Sequence, residues 1–292
     1  MKRLTLVPTP IGNLGDITAR AVEVLRNADL VAAEDTRRSK VLLTHLGIER
    51  KLVRLDAHTM SSRAPSLLAD NQWLAFISDA GTPGISDPGA DLVQLALDAG
   101  HRVDVLPGAT AFVPALVASG LATARFTFEG FLPRKGSLRK RRLAEIAAAR
   151  ATSIIYEAPF RLVATLADLA QACGAERQAS VSRELSKLYE ETRRGSLSAL
   201  HEHYSAGEVK GEIVIVIAAA LEAAANDEAD SESIPMVAGS SVREMAARLA
   251  AVGIRGRLLR GALEALGAAR NVAYQSALEH GQDERHDGGV GD

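Results

Sequence analysis

Three loops of one kind hold most of the chemistry that can be read in this chain. They are Pro8-Thr9-Pro10-Ile11-Gly12-Asn13-Leu14, then Asp79-Ala80-Gly81-Thr82-Pro83-Gly84-Ile85-Ser86-Asp87-Pro88-Gly89, then Pro107-Gly108-Ala109-Thr110. Each follows a short apolar run. Glycine lets main chain come close to a ligand, and proline fixes a loop without side-chain contacts. A single such loop can be an ordered turn; three at the carboxyl ends of strands in one domain can converge on one crevice. Gly81, Gly84, Gly108 and the amides around them would there meet a carboxylate, hydroxyls or an adenine edge. A second feature is cationic. Residues 134–150 hold seven basic side chains (Arg134, Lys135, Arg139, Lys140, Arg141, Arg142 and Arg150) against one acid, Glu145. Such a run is either a solvated helix start or a surface for nucleic-acid phosphates, whose contacts set register and make affinity salt-dependent.

The elements that must position these residues alternate. Runs at 4–7, 30–33, 52–55, 73–77 and 103–106 read as strands, with helical spacing between them, for example Ile17, Ala21, Val24 and Leu25 behind the cap Asp16. That alternation predicts a mostly parallel sheet with helices on its faces. A second series of runs, at 126–128, 153–156, 179–181 and 212–217, with helices over 138–150 and 162–173, predicts a second α/β domain. The expected division is an N-terminal α/β domain at 1–121, a second at 122–221, an acidic linker at 222–237, a small helical module at 238–280 and a disordered tail at 281–292. In the module, Ser241 opens a capping-box pattern with Glu244. Three apolar faces follow it: Val242, Met245, Ala246 and Leu249; Leu259, Ala262, Leu263 and Leu266; Ala273, Tyr274, Ala277 and Leu278.

Bulk properties exclude several classes. The 292 residues are 47% hydrophobic and 24% charged, as in an ordinary soluble enzyme. The formal net charge of −2 conceals asymmetry, since residues 222–232 carry five acids and no base. Cys173 is the single cysteine, which excludes an intrachain disulfide and thiolate zinc clusters. The most apolar stretch, at 213–221, is too short to span a bilayer, and a cytoplasmic protein without membrane contact is expected. No Walker-type glycine loop with Lys-Ser or Lys-Thr occurs, and no Gly-x-Gly-x-x-Gly follows the first strand, which argues against common nucleotide cradles. No zinc-ligand spacing is found either, and no metal is expected.

Taken in order, the motifs carry a resemblance. They are Leu6-Val7-Pro8-Thr9-Pro10-Ile11-Gly12-Asn13-Leu14, Ala33-Glu34-Asp35-Thr36-Arg37, the run from Ser78 to Gly89, Leu106-Pro107-Gly108-Ala109-Thr110, Phe128-Glu129-Gly130-Phe131-Leu132-Pro133, Tyr156-Glu157-Ala158-Pro159, Arg183-Glu184-Leu185 and Lys210-Gly211-Glu212-Ile213. From residue 4 to 221 the chain resembles the bacterial ribosomal RNA small subunit methyltransferase I family, of the tetrapyrrole methylase superfamily. The resemblance implies two α/β domains with S-adenosylmethionine bound in the cleft between them. It implies methyl transfer to a cytidine ribose 2′-hydroxyl of 16S ribosomal RNA, free or in the assembled small subunit, by a homodimer.

By motif, the resemblance places Pro8, Pro10 and Ile11 on the cofactor floor, and Gly81, Thr82 and Ile85 at its methionine and ribose end. Pro107, Gly108, Ala109 and Thr110 would flank it, with Tyr156 and Glu157 reaching in from the second domain, where Arg183 and Glu184 also contribute. A 2′-hydroxyl needs help to lose its proton, so a base is expected among Glu34, Asp35, Glu157, Glu184 and Lys187, the last if its pKa is lowered. Arg37, Arg161 and Arg183 stand beside these carboxylates; they join Arg134, Lys135, Arg139, Lys140, Arg141 and Arg142 as expected RNA contacts, with ion pairing as the alternative. Two departures are visible: Phe160 stands where the family often has histidine, and Ser186 where threonine is usual. A methylase of a small tetrapyrrole-like metabolite and a non-catalytic RNA-binding assembly factor are the competing readings.

Overall fold

A computed structural model describes residues 1–220, 242–251, 254–265, 268 and 270–279. The expected linker at 222–237, the tail at 281–292 and the Ser241 cap lie outside them. Met1–Leu221 is one compact unit and the helical segment another.

The first unit begins with β1 (Arg3–Leu6), α1 (Ala19–Asn27), β2 (Leu30–Ala33), α2 (Thr36–His45), β3 (Leu52–Arg54), α3 (Met60–Asp70), β4 (Trp73–Ile77), α4 (Gly89–Asp98) and β5 (Arg102–Val105). The five strands pair in the order β3-β2-β4-β1-β5, all parallel. Side chains along β4 alternate between the faces. Ala75 and Ile77 pack with Val24, Leu25 and Leu43 of α1 and α2, whereas Leu74 and Phe76 pack with Met60, Leu68 and Leu92 of α3 and α4. The chain leaves β1 toward β2 on one side and leaves β4 toward β5 on the other. β1 and β4 are neighbours, so the crevice beyond their carboxyl ends is a topological switch point, where open α/β sheets bind ligands.

The chain continues through α5 (Phe112–Ser119), β6 (Phe126–Phe131), α6 (Gly136–Ala148), β7 (Thr152–Glu157), α7 (Leu162–Cys173), β8 (Gln178–Arg183), β9 (Glu191–Ser196), α8 (Leu197–Ser205) and β10 (Ile213–Ile217). The second sheet, β6-β7-β10-β8-β9, departs from the expected parallel arrangement. Only β6 and β7 run parallel; β10 is antiparallel to β7 and β8, and β8 to β9. Only a short turn joins β8 to β9, and parallel strands need a longer crossover. Helices α6, α7 and α8 cover one face through Leu143, Leu166 and Leu200. The opposite face, with Ile154, Val214 and Val216, is covered by Ala115 and Leu116 of α5. Helix α5 precedes residue 121 in sequence yet packs on the second sheet.

The second unit contains α9 (Val242–Ala251), α10 (Gly256–Ala265) and α11 (Arg270–Glu279). Ala246, Leu259, Leu263, Ala273 and Ala277 form its core. The face of α11 is rotated from the expected one: Ser276 is buried beside Ala273 and Ala277, while Tyr274 and Leu278 are exposed.

Candidate active site

The loops after β1 and β4 are hydrogen-bonded to each other at the switch point. Thr9 and Gly81 form a two-bond bridge, each amide donating to the other's carbonyl at 2.9 Å, and Gly81 has a φ of +80°, which favours glycine. The Thr82 hydroxyl donates to the Ala109 carbonyl at 3.0 Å, tying in the third loop. Gly108 lies so close to Pro8 that a Cβ there would stand 2.4 Å from the proline Cβ. Its smallness serves loop-on-loop packing. The three loops thus converge, as their common composition predicts.

Between the two sheets lies a cavity of about 410 Å³, within the usual range for small-molecule sites. Ile11, Glu34, Ser78, Ala80 to Thr82, Ile85 to Asp87, Thr110 and Ala111 form one wall; Phe131, Tyr156 to Pro159, Leu185 and Gly211 to Val214 form the other. Of the residues expected at a cofactor, Ile11, Gly81, Thr82, Ile85, Thr110, Tyr156 and Glu157 line it. Pro8, Pro10, Pro107, Gly108 and Ala109 are not part of its lining. Pro8 and Ala109 instead hold the loops in place, through Gly108 and Thr82.

Two buried polar atoms of the lining have no partner among the described residues. One is Ser78 Oγ, the other Asp87 Oδ2. The remaining carboxylate oxygen, Asp87 Oδ1, accepts from the Gly84 amide at 2.6 Å and the Gly89 amide at 2.8 Å, so the orphaned oxygen is held rigidly. An unsatisfied buried acceptor is costly and points to something that completes it. Backbone strain collects here as well. Among the described non-glycine residues, positive φ occurs at Ser86, which lines the cavity, and at Glu184 and Ser186, which flank the lining residue Leu185. Ser78, Ser86, Asp87, Phe131 and Leu185 were not singled out from sequence. Ser78 and Asp87 had a signal, as polar residues inside a glycine-rich loop directly after an apolar strand.

The candidate bases separate by environment. Glu34, at the end of β2, lines the cavity, and its Oε2 accepts from the Asp79 amide at 3.3 Å. Burial pushes its carboxyl up; the Asp79 amide opposes that, and the charges of Asp79, Asp87 and Asp56 add to it. Asp35 does not line the cavity. Its oxygens accept from the Arg37 side chain and amide, at 2.7 and 2.8 Å, which holds its carboxyl well below the usual range and caps α2. Glu184 and Lys187 pair with each other at 2.8 Å, outside the lining, and Lys187 also meets Glu212 at 3.1 Å. The lysine bond lowers the Glu184 carboxyl. Burial works to lower the Lys187 ammonium, but its bonds to Glu184 and Glu212 outweigh that and raise it. The lowered pKa that a lysine base requires is therefore not found. The Lys187 stem instead packs on Gly12, where a Cβ would lie 2.3 Å from Lys187 Cγ. Glu157 borders the cavity, but its carboxylate is fully engaged by Arg161, the Ala158 amide and the Thr165 hydroxyl, at 3.2, 2.8 and 2.6 Å.

Several of the expected RNA contacts are engaged in ion pairs within the protein. Arg139 is 8% exposed, bonded to Asp168, the Pro133 carbonyl and Thr165 at 2.7 to 3.0 Å. It sits four residues before Leu143 and seven before Ile146, on the buried face of α6. Arg161 is turned inward to Glu157 and the Leu132 carbonyl, and Arg183 pairs with Glu191 at 3.0 Å. Arg37 is exposed but occupied by Asp35. Arg142 pairs with Glu129 and Glu145, and Arg141 lies 3.6 Å from Glu145. Arg134, Lys135 and Lys140 are exposed, and no carboxylate partner for them is found among the described residues. No group of three His, Cys, Asp or Glu side chains that could hold a metal occurs among the described residues. No helix of those residues is long and apolar enough to cross a membrane.

Comparison with known proteins places this geometry. Residues 3–201 match the model of the tetrapyrrole (corrin/porphyrin) methylases. A ribosomal RNA small subunit methyltransferase I of Synechocystis sp. is 43% identical over 280 residues, covering 94% of this chain and 97% of that protein. One of Mesorhizobium japonicum is 48% identical over 235 residues, covering 79% and 80%. Among solved structures, uroporphyrin-III C-methyltransferase of Thermus thermophilus, complexed with S-adenosyl homocysteine, is similar with a TM-score of 0.54 at 19% identity, covering 75% of this chain and 97% of that one. That likeness concerns the fold. The family match and the sequence identity go further, and the chain belongs to the tetrapyrrole methylases and, within them, to the ribosomal RNA small subunit methyltransferase I family.

Proposed function

We propose that this protein transfers a methyl group from S-adenosylmethionine to the 2′-hydroxyl of a cytidine in 16S ribosomal RNA. The observation that carries the reading is the switch-point cavity with its unpartnered Asp87 Oδ2 and Ser78 Oγ. A ligand rich in hydroxyl and ammonium donors satisfies both atoms, and Ile11, Ile85, Ala111 and Val214 offer apolar wall for a flat ring. S-adenosylmethionine has those features and, once bound, supplies an electrophilic methyl on a sulfonium centre. Ser78, Asp87 and the Gly81–Thr82 main chain would hold it.

The remaining chemistry falls to the protein. Methyl transfer to oxygen is an in-line displacement, so alignment supplies much of the catalysis. Glu34, raised by burial and with no cationic partner among the described residues, accepts the hydroxyl proton. Arg134, Lys135 and Lys140 hold the RNA backbone. A cytoplasmic homodimer acting on RNA or the assembled subunit completes the reading, with the exposed Val113 and Val117 of α5 and Phe126 of β6 offering an apolar face for the second copy.

The test is incubation with methyl-labelled S-adenosylmethionine and unmodified small subunits, followed by digestion to nucleosides. Label is expected in 2′-O-methylcytidine. Saturable cofactor binding with no label in RNA overturns the assignment in favour of a small-metabolite acceptor, and no binding favours a non-catalytic factor.

A further inference from the structure

Two phenylalanines are left in water beside the cavity, and the structure holds the backbone of both. Phe160 is 83% exposed, in the short turn Pro159–Arg161 whose neighbours Ala158 and Pro159 line the cavity. Phe131 is 55% exposed at the end of β6, lines the cavity itself and packs edge-on against Tyr156 with ring centroids 5.7 Å apart. Single exposed apolar residues are common on protein surfaces and need no explanation by themselves. These differ in how their backbones are held. The Arg161 guanidinium bonds Glu157 at 3.2 Å and the Leu132 carbonyl at 2.9 Å, while Glu157 is held in turn by Thr165. One hydrogen bond thus joins the residues that follow the two phenylalanines. The Arg161 amide also donates to the Ala158 carbonyl at 2.9 Å, closing the turn.

Cations begin at the same rim. Arg134 and Lys135 follow Phe131 by three and four residues, and the intervening Pro133 carbonyl is pinned by Arg139 at 3.0 Å. Fixed aromatic faces next to exposed, unpaired cations are how proteins hold a single-stranded nucleotide: the base stacks and the phosphates pair. Geometry demands something of this kind here. For a ribose hydroxyl to reach Glu34 inside the cavity, its nucleotide must leave its own stack, and the lost stacking has to be replaced at the mouth.

We propose that Phe160, with Phe131 beside it, is the stacking platform for the target pyrimidine turned out of its strand, with Arg134 and Lys135 on the adjoining phosphates. The proposal rests on the RNA methylation reading and adds the residue that positions the acceptor. It predicts a preference for unpaired over duplex RNA, set at Phe160 without any contact to the cofactor.

The test compares Phe160→Ala, Phe160→Leu and Phe160→Trp with the unaltered full-length protein. Base stacking on an aromatic ring corresponds to about 10- to 100-fold in affinity. Phe160→Ala is expected to lower kcat/KM for small subunits by that factor, mainly through KM, while S-adenosylmethionine affinity by calorimetry and the melting temperature stay unchanged. Phe160→Leu should remain as impaired as Phe160→Ala, and Phe160→Trp should recover to within a few-fold. In Phe160→Trp, titration with a short single-stranded cytidine-containing oligoribonucleotide should quench the added indole emission above the constant signal of Trp73, the one native tryptophan. A duplex should not. Full activity in Phe160→Ala or Phe160→Leu, or absence of quenching, overturns the platform. Quenching by the oligonucleotide in a protein that methylates no RNA overturns the reaction assignment and leaves the platform standing.

Discussion

Replacing Glu34 by glutamine isolates proton transfer from every other contribution of the site. The variant keeps side-chain size and an oxygen for the Asp79 amide, 3.3 Å away, so the loops around it need not move. What it loses is the ability to accept a proton. General-base assistance is worth about 10²- to 10⁴-fold, or about 3 to 5.5 kcal/mol of barrier. That is the expected fall in kcat, with S-adenosylmethionine affinity changed less than about twofold, because the unpartnered Asp87 and Ser78 atoms are untouched. The pH profile carries a second signature. Burial first, then repulsion from Asp79, Asp87 and Asp56, raises the Glu34 carboxyl, so the acidic limb of kcat/KM should lie above the ordinary glutamate range and vanish in the variant. Stability supplies the third. A carboxyl whose folded-state pKa is raised contributes its stability below the unfolded pKa and loses it as pH climbs through the folded value. As pH climbs through the folded value the wild type loses that contribution, whereas glutamine never ionises. Glu34→Gln should therefore melt no lower than wild type at pH 7, with any advantage disappearing in acid. Single-turnover methylation across pH, with calorimetric melting alongside, reads all three. A fall in kcat below about fivefold, or an acidic limb that survives the substitution, refutes the role of Glu34.

Four further outcomes follow from the geometry. Arg139→Ala should cost about 1–3 kcal/mol, because it strips a buried guanidinium from Asp168, Thr165 and the Pro133 carbonyl, and lower the melting temperature by several degrees. Arg134→Ala should leave melting unchanged and instead reduce the slope of log affinity for RNA against log salt by about one. Asp87→Asn keeps an oxygen for the Gly84 and Gly89 amides but turns the orphaned acceptor into a donor; S-adenosylmethionine affinity by calorimetry should fall about 10- to 100-fold with melting preserved. Gly108→Ala places a methyl 2.4 Å from Pro8 Cβ, and overpacking of about 1–3 kcal/mol should appear as both lower melting and weaker cofactor binding.

The parts of this molecule that were legible in the sequence are those where one element's own residues decide the matter. Strands β2 and β4 and helix α7 match their expected spans because each is an apolar pattern between clear stops. Strand β9 was missed because Glu191-Thr192-Arg193-Arg194-Gly195-Ser196 is polar, as suits an edge strand with one exposed side. The direction of the strands in the second sheet depends on what their neighbours accept, which no local pattern carries. The same division holds in the site. Loop convergence was readable from three similar loops. Glu34 could not be told from Asp35 or Glu184, because the distinction lies in partners supplied by Arg37 and Lys187 and in burial by the fold. Arg139 was readable after all: its spacing to Leu143 and Ile146 sets it on the inner face, a signal hidden by the charge of its neighbours.

Helix α5 lies before the second sheet in the chain yet lids one of its faces, and the segment entering it, Thr110 and Ala111, lines the cavity. The two lobes are therefore not separable parts. A polypeptide ending at residue 121 would carry away the lid that keeps Ile154, Val214 and Val216 dry, and one starting at 122 would lack it. The cavity is therefore built by a single compact object of some 220 residues rather than by two independent halves.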